Sequence, residues 1–167
     1  KPRMFRLQEH RSLINRMGFN SVGLDEFLQN IKHRRTDIPI GVNLGKNAET
    51  PIENAADDYL LGMERVYEHA DYITINISSP NTINLRALQR DESLDQLMRA
   101  MKAKHEALAQ KHSTNVPLAV KIAPDLDDNQ IRTIADLAKH HTFNAVIATN
   151  TTTDRTQVAN SKHAEEV

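Results

Sequence analysis

Short apolar runs alternate with longer amphipathic stretches along most of this chain. Four runs of five to seven residues, rich in Val or Ile and nearly free of charge, cover residues 38–44 (IPIGVNL), 72–78 (YITINIS), 117–122 (PLAVKI) and 145–149 (AVIAT). They are too short for typical helices, and they lack the polar alternation of a half-exposed strand. They therefore predict β-strands that are covered on both faces. No element is predicted before residue 24.

The stretches around and between these runs predict helices over residues 24–33, 52–70, 93–112 and 127–140. Residues 93–112 have one apolar stripe at three- and four-residue spacing, formed by Leu94, Leu97, Met98, Met101, His105 and Leu108. Residues 127–140 repeat this pattern at Ile131, Ile134, Ala135, Leu137 and Ala138. Asp127 and Asp128 are placed for an N-cap and a first helical turn. Thr50 and Pro51 predict a capping residue followed by the first helical position.

Strands joined by helical crossovers of this length predict an α/β fold with a parallel sheet. A doubly wound open sheet and an eight-stranded barrel both fit the element order. A barrel takes about 250 residues, so about four βα units form roughly half of one, and we interpret the chain as a middle piece. Edge strands at residues 38–44 and 145–149 would then favour self-association.

Composition narrows the function classes. Hydrophobic residues make up 39% of the 167 positions and charged residues 26%, which suits a globular domain with a buried core. A net charge of −1 means that the chain has no excess of positive charge that would favour binding to nucleic acid. No apolar run approaches the roughly 20 residues that span a bilayer, and no secretory leader opens the sequence. The eight His residues are scattered and Cys is absent, so we predict no metal site and no Cys nucleophile.

Polar side chains interrupt three successive predicted strands near their carboxyl ends, where α/β folds place their chemistry. They are Asn43, Asn76 and Lys121. A polar group in an apolar strand costs free energy unless it has a partner. Taken singly, Asn43 is more often a satisfied sheet amide, and Lys121 can reach the rim of a barrel. Their coincidence at one end of the sheet instead suggests a shared polar ligand.

Five motifs along the chain together resemble those of the class 2 dihydroorotate dehydrogenases, the quinone-dependent FMN enzymes. They are NRMGFN at residues 15–20, NLGKN at 43–47, NISSPNT at 76–82, VKIAPDL at 120–126 and ATNTT at 148–152. The resemblance covers essentially the whole chain. It implies a partial TIM (β/α)8 barrel that holds FMN at its C-terminal mouth, and it places residues 1–167 in the centre of that single domain. The membrane helices and the FMN-phosphate loops of the family would lie outside these residues.

The resemblance also implies roles for individual residues. Ser79 matches the base that takes a proton from the substrate. The substrate-binding positions are Asn15, Arg16, Met17, Gly18, Phe19, Asn76, Asn81, Asn150 and Thr151. The FMN-binding positions are Asn43, Asn76, Lys121 and Thr149. A serine hydroxyl is a poor base in water, so it needs a site that stabilises its alkoxide character and relays its proton away.

The implied activity is oxidation of dihydroorotate to orotate with a quinone as electron acceptor, in de novo pyrimidine (UMP) biosynthesis. The implied location of the parent enzyme is peripheral, at the cytoplasmic face of the inner membrane. We expect the 167-residue chain alone to be inactive and to bind FMN weakly or not at all. The alternatives are a related FMN barrel reductase acting on another pyrimidine, and a non-catalytic half-barrel that self-associates.

One loop departs from the family pattern. The family usually continues the motif after Asn81 and Thr82 with Pro and Gly, whereas this chain has Ile83 and Asn84. Losing Pro and Gly removes one fixed and one permissive backbone position. We therefore expect the loop to close over the substrate differently.

Overall fold

In residues 2–35, 37–79 and 91–166, which the computed structural model describes, six β-strands and four α-helices follow one another. The strands are β1 (Met4–Leu7), β2 (Ser12–Asn15), β3 (Gly41–Leu44), β4 (Tyr72–Asn76), β5 (Leu118–Ile122) and β6 (Ala145–Ala148). The helices are α1 (Leu24–Lys32), α2 (Ala55–Val66), α3 (Asp91–His112) and α4 (Asp128–His140). Short 3₁₀ turns lie at Ile52–Asn54, Tyr67–His69 and Thr156–Val158.

β3 to β6 form a parallel sheet in sequence order, which confirms the four predicted strands and both predicted edges. The core side chains of β3, β4 and β5, such as Val42, Ile73 and Val120, alternate along each of these strands and cluster with residues of α1 to α4. The helices therefore pack on one face of the sheet, as in a barrel and unlike a doubly wound sheet. Self-association through the edges stays a prediction.

The prediction that every strand is covered on both faces was wrong for the two edge strands. In β3, Gly41 and Asn43 are exposed, while Val42 and Leu44 pack into the core. In β6, Val146 remains 43% exposed. An apolar run indicates a strand, but it does not specify whether other elements cover both of its faces.

The predicted stripe of α3 is confirmed, because all six of its residues are buried. α3 has 22 residues, but its other faces are charged, and no helix in the described ranges is long and apolar enough to cross a membrane. The stripe of α4 is narrower than predicted, since Ile134 and Ala138 are buried whereas Ile131 is 47% exposed. The shallower contact fits the position of α4 beside the edge strand β6.

The two predicted helix starts have different outcomes. Asp127 caps α4 in a reciprocal capping box with Gln130: its carboxylate accepts the Gln130 N–H at 2.8 Å, and the Gln130 side chain accepts the Asp127 N–H at 3.0 Å. The prediction at Thr50 was wrong. Pro51 occupies the cap position of a 3₁₀ turn that begins at Ile52, and no side chain caps that turn.

An antiparallel hairpin of β1 and β2, which was not predicted, precedes the sheet. Its buried residues Phe5, Leu7 and Ile14 form a small second cluster together with Val158. The hairpin thereby packs against the segment that follows β6.

A partly buried hydrogen bond joins α3 to the residue that follows α4. The His141 Nε2 lies 2.7 Å from Asp95 Oδ1, and Arg99 donates to the other carboxylate oxygen at 2.6 Å. The hydrogen bond from His141 lowers the pKa of Asp95 below its ordinary value near 3.8. A carboxylate of this kind stabilises the fold above its unfolded pKa, and it loses that contribution as the pH falls through its lowered folded pKa.

We therefore expect Asp95→Asn to lower the free energy of unfolding near pH 6. The difference from the unmodified protein should become progressively smaller towards about pH 3. Urea unfolding across this pH range measures the effect. Asp136→Asn, an exposed carboxylate on α4, is the control and should change little at any pH. An Asp95→Asn deficit that stays constant with pH would contradict this account.

Candidate functional site

The carboxyl ends of β3 to β6 form one edge of the sheet, here called the carboxyl edge. The strand register pairs Asn76 at the end of β4 with Lys121 of β5, and Lys121 with Ile147 of β6. Asn150 follows β6, and its backbone N–H donates to the carbonyl of Ile122 at 3.0 Å. Candidate residues from three successive strands are therefore neighbours, as their positions predicted.

Asn43, Asn76 and Lys121 share the sheet face that is turned away from the helices, because their strand neighbours alternate into the helix-packed core. Their burial differs. Asn76 is 3% exposed, Lys121 is half-buried and Asn43 is exposed. Of these three side chains, Asn76 is thus the one whose burial would cost the most free energy without partners. Asn76 does have hydrogen-bond partners.

A hydrogen-bonded network links the ends of β4 and β6 through Ser78. Asn76 Oδ1 accepts the Ser78 hydroxyl at 2.7 Å and the Ser78 backbone N–H at 3.1 Å. Asn150 Nδ2 donates to the same Ser78 hydroxyl at 3.1 Å. Ser78 is fully buried. The side chains of Asn76 and Asn150, both predicted substrate contacts, are therefore held in fixed positions by a serine that was not predicted.

Ser79, the predicted base, follows this network directly and is 5% exposed. Its side chain is thus largely withdrawn from bulk water, so neighbouring groups would have to stabilise any alkoxide character. Asn81, another predicted substrate contact, lies outside the described residues, and so do Thr82, Ile83 and Asn84.

The loop after β6 is tied to the end of β5. Asp125 accepts the Thr153 backbone N–H at 3.0 Å and also binds the hydroxyl of Thr152. Within the loop, the Thr149 hydroxyl donates to the Asn150 carbonyl at 2.8 Å. The Thr151 N–H donates to Asn150 Oδ1, also at 2.8 Å. Thr149 and Thr151 therefore lie at the carboxyl edge beside Asn150.

The predicted substrate loop reaches the carboxyl edge at its distal end. A Cβ on Gly45 would come within 2.9 Å of the Phe19 ring, so the lack of a side chain there lets Phe19 lie against the end of β3. Gly18 has a φ of 73°, which strains other residues. Asn15 Oδ1 accepts the Met17 N–H at 3.3 Å, which shapes the start of the loop.

The side chain of Arg16, another predicted site residue, contacts residues near the two ends of the chain. Its guanidinium donates to the carbonyls of Pro2 at 3.0 Å and Glu166 at 2.9 Å, and it lies 5.5 Å from the centre of the Phe5 ring. The Met17 carbonyl accepts from Arg3 at 3.1 Å. These contacts anchor the start of the loop to the hairpin and to the chain's last residues.

Two further buried polar residues lie next to the site and were not predicted. Lys46 is 4% exposed, and its ammonium donates to the carbonyls of Asn47 at 2.6 Å and Thr50 at 2.5 Å. Tyr59 of α2 is completely buried and donates its hydroxyl to the Asn76 carbonyl at 2.8 Å. A tyrosine on the apolar face of a helix gives only a weak sequence signal, because its ring alone explains its burial.

The carboxyl edge presents amides, hydroxyls and one ammonium. The Lys121 side chain makes no hydrogen bond or ion pair with any described residue. Among the described residues, no group of His, Asp or Glu is arranged to bind a metal ion. Each amide offers a donor and an acceptor in one plane, which suits a planar heterocycle with alternating carbonyls and N–H groups.

Comparison with known proteins identifies relatives of the whole chain. The family model described as dihydroorotate dehydrogenase matches residues 1–167. Proteins named dihydroorotate dehydrogenase (quinone) from Burkholderia multivorans and Polaromonas naphthalenivorans are 57% and 55% identical to it. Each alignment covers 99% of this chain, but 48% and 49% of the respective relative. The chain thus spans about half the length of the curated relatives it matches.

Solved structures agree with this assignment. The crystal structure of DHODH from Eimeria tenella in complex with ferulenol is 39% identical, with a TM-score of 0.84. The alignment includes 98% of this chain and 49% of the Eimeria tenella chain. The four βα units therefore form part of a TIM barrel. Dihydroorotate dehydrogenases are flavin-dependent oxidoreductases. The match over all 167 residues shows that the chain belongs to the dihydroorotate dehydrogenase family.

Proposed function

We propose that residues 1–167 form the central part of a single (β/α) barrel domain in a dihydroorotate dehydrogenase. This enzyme would oxidise dihydroorotate to orotate with FMN as cofactor and a quinone as electron acceptor, in UMP biosynthesis. The observation that supports it best is the network of Asn76, Ser78 and Asn150 beside the buried Ser79. We place the enzyme peripherally at the cytoplasmic face of the inner membrane, held there by a segment outside this chain.

Ser79 is the proposed base. Oxidation breaks two C–H bonds on neighbouring ring carbons and forms a C=C bond. One carbon loses a hydride, and Ser79 takes the proton from the other. A buried hydroxyl can act in this way when its negative charge is stabilised and the proton is passed on. The enclosed position of Ser79 supports the role, because bulk water does not compete for the same hydroxyl.

The amides of Asn76 and Asn150 are proposed to grip the pyrimidine ring and its carboxylate, together with Thr151 and with Asn81 of the neighbouring loop. Ser78 donates to Asn76 Oδ1 and accepts from Asn150 Nδ2, while the Thr151 N–H donates to Asn150 Oδ1. Asn76 Nδ2 and the second N–H of Asn150 Nδ2 are therefore the amide groups that can serve the substrate. Phe19 against Gly45 supports a further contact from the loop of residues 15–19. This arrangement would orient one ring face towards Ser79 before reaction.

Asn43, Asn76, Lys121 and Thr149 are the proposed FMN contacts. FMN, when bound, would accept the hydride that leaves the substrate. The residues fit a flavin ring, because Lys121 is an ammonium on the helix-free face of the sheet without a partner in the described residues. Asn43 is exposed on the same face. Both side chains can therefore donate to ring acceptors without first breaking internal bonds.

Growth rescue tests the proposed function. The full-length protein that contains this chain should restore growth without added pyrimidine to a strain lacking its own dihydroorotate dehydrogenase. A related barrel reductase that acts on another pyrimidine would not restore growth. The proposal fails if the protein accumulates in soluble or membrane-bound form, contains flavin, and still does not support growth.

A further inference from the structure

The hydroxyl of Tyr59 holds the end of β4 next to the candidate site. It donates to the Asn76 carbonyl at 2.8 Å. The side chain is completely buried, and this burial raises the pKa of Tyr59 well above its ordinary value near 10. The phenol therefore stays protonated and remains a donor to Asn76 at all physiological pH values.

This hydrogen bond lies where the strand pairing stops. The register between β3 and β4 ends with the pair Leu44 and Ile75, so the Asn76 carbonyl lies one residue beyond it. A side chain from α2 thus fixes the end of β4 at the carboxyl edge.

The hydrogen bond from Tyr59 connects α2 to the candidate site through Asn76. The carbonyl of Asn76 is held by Tyr59, while its side chain accepts both hydrogen bonds from Ser78, which in turn accepts from Asn150. A shift of the Asn76 backbone would move the whole network, because all its members are buried or half-buried and tightly packed.

We propose that Tyr59 is a positioning residue, which aligns Asn76 and Ser78 for the flavin and the pyrimidine without touching either. This inference rests on the proposed function for its ligands. The expected structural effect does not depend on the reaction: removing the Tyr59 hydroxyl should loosen the strand ends at the carboxyl edge.

Tyr67 provides a matched control at the opposite end of the sheet. Tyr67 is 1% exposed. Its hydroxyl donates to the Thr114 carbonyl at 3.0 Å and accepts a hydrogen bond from the Val116 N–H at 3.3 Å. These groups precede β5 at its amino end. Tyr59→Phe and Tyr67→Phe are therefore the same chemical change at similar burial, and they differ in their distance from the site.

The experiment compares both variants in the full-length protein. Each removes a buried hydroxyl that donates to a backbone carbonyl, so both should unfold at somewhat lower denaturant concentration. Only Tyr59→Phe should accelerate hydrogen–deuterium exchange at residues 76–79. Only Tyr59→Phe should weaken FMN binding to the apoprotein, by roughly tenfold, as expected for the loss of one well-placed interaction. Its KM for dihydroorotate should rise and its kcat should fall, whereas Tyr67→Phe should leave both unchanged.

Two outcomes are decisive. Equal exchange at residues 76–79 and equal FMN affinity in the two variants would overturn the role of Tyr59. If the unmodified protein does not oxidise dihydroorotate, the proposed function fails instead. The exchange comparison would still decide whether Tyr59 positions Asn76, because that measurement requires no substrate.

Discussion

Ser79→Ala in the full-length protein should lower the rate of dihydroorotate oxidation by about 10²–10⁴-fold, the usual contribution of a positioned acid or base. FMN content should be unchanged, because the proposed cofactor contacts come from other residues. Ser79 is buried directly after the network of Asn76 and Ser78, so replacing its hydroxyl with hydrogen should disturb the packing little. Orotate formation under saturating quinone measures the effect.

Two variants make this result specific to the base. Ser79→Cys should recover part of the activity, because a cysteine thiolate can also take the proton. Ser93→Ala makes the same chemical change on the exposed surface of α3 and should be neutral. An undiminished rate in Ser79→Ala would remove Ser79 from the mechanism.

Lys121→Met should lower kcat by about 10²–10³-fold, the loss typical of removing one donor that stabilises developing charge. Methionine keeps much of the apolar stem and removes the ammonium, which has no partner among the described residues. Because no internal ion pair is broken, the fold should remain as stable as before. Single-turnover oxidation of bound dihydroorotate, followed by flavin absorbance, measures the effect on the chemical step.

Lys102→Met on α3 is the control for this substitution. The Lys102 side chain is also half-buried, at 24% exposed, and its ammonium lies 3.8 Å from the Glu106 carboxylate, away from the carboxyl edge. It should leave the single-turnover rate unchanged. If the two variants behave alike, Lys121 is a rim residue without a role in the reaction.

The parallel sheet could be predicted because its signals are local. Each strand of the sheet is a compact apolar run, and the buried residues of α3 form one apolar stripe that is visible in the sequence. The hairpin of β1 and β2 lacked such signals. Its strands have four residues each, with Arg6 between two buried positions, and its turn contains no Gly or Pro. Arg11 instead adopts a φ of 48°, which a sequence pattern would not assign to arginine.

The neighbours at the carboxyl edge were also predictable, because parallel strands in sequence order bring their ends together. Asn76 and Lys121 are paired by the register for that reason. The network itself was not predictable. It depends on which way the Ser78 hydroxyl turns and on a contact between Tyr59 and Asn76, 17 residues apart on different elements. Such contacts follow from helix packing, which no single motif specifies.

The most direct measurement is a crystal structure of the full-length protein with FMN and orotate bound. We expect the orotate ring to lie at the carboxyl edge, within hydrogen-bond distance, about 3 Å, of the Asn76 and Asn150 amides. We also expect the Ser79 hydroxyl to face the ring carbon that loses its proton, with the flavin on the opposite ring face. Orotate bound elsewhere, or a Ser79 side chain directed away from the ring, would contradict this expectation.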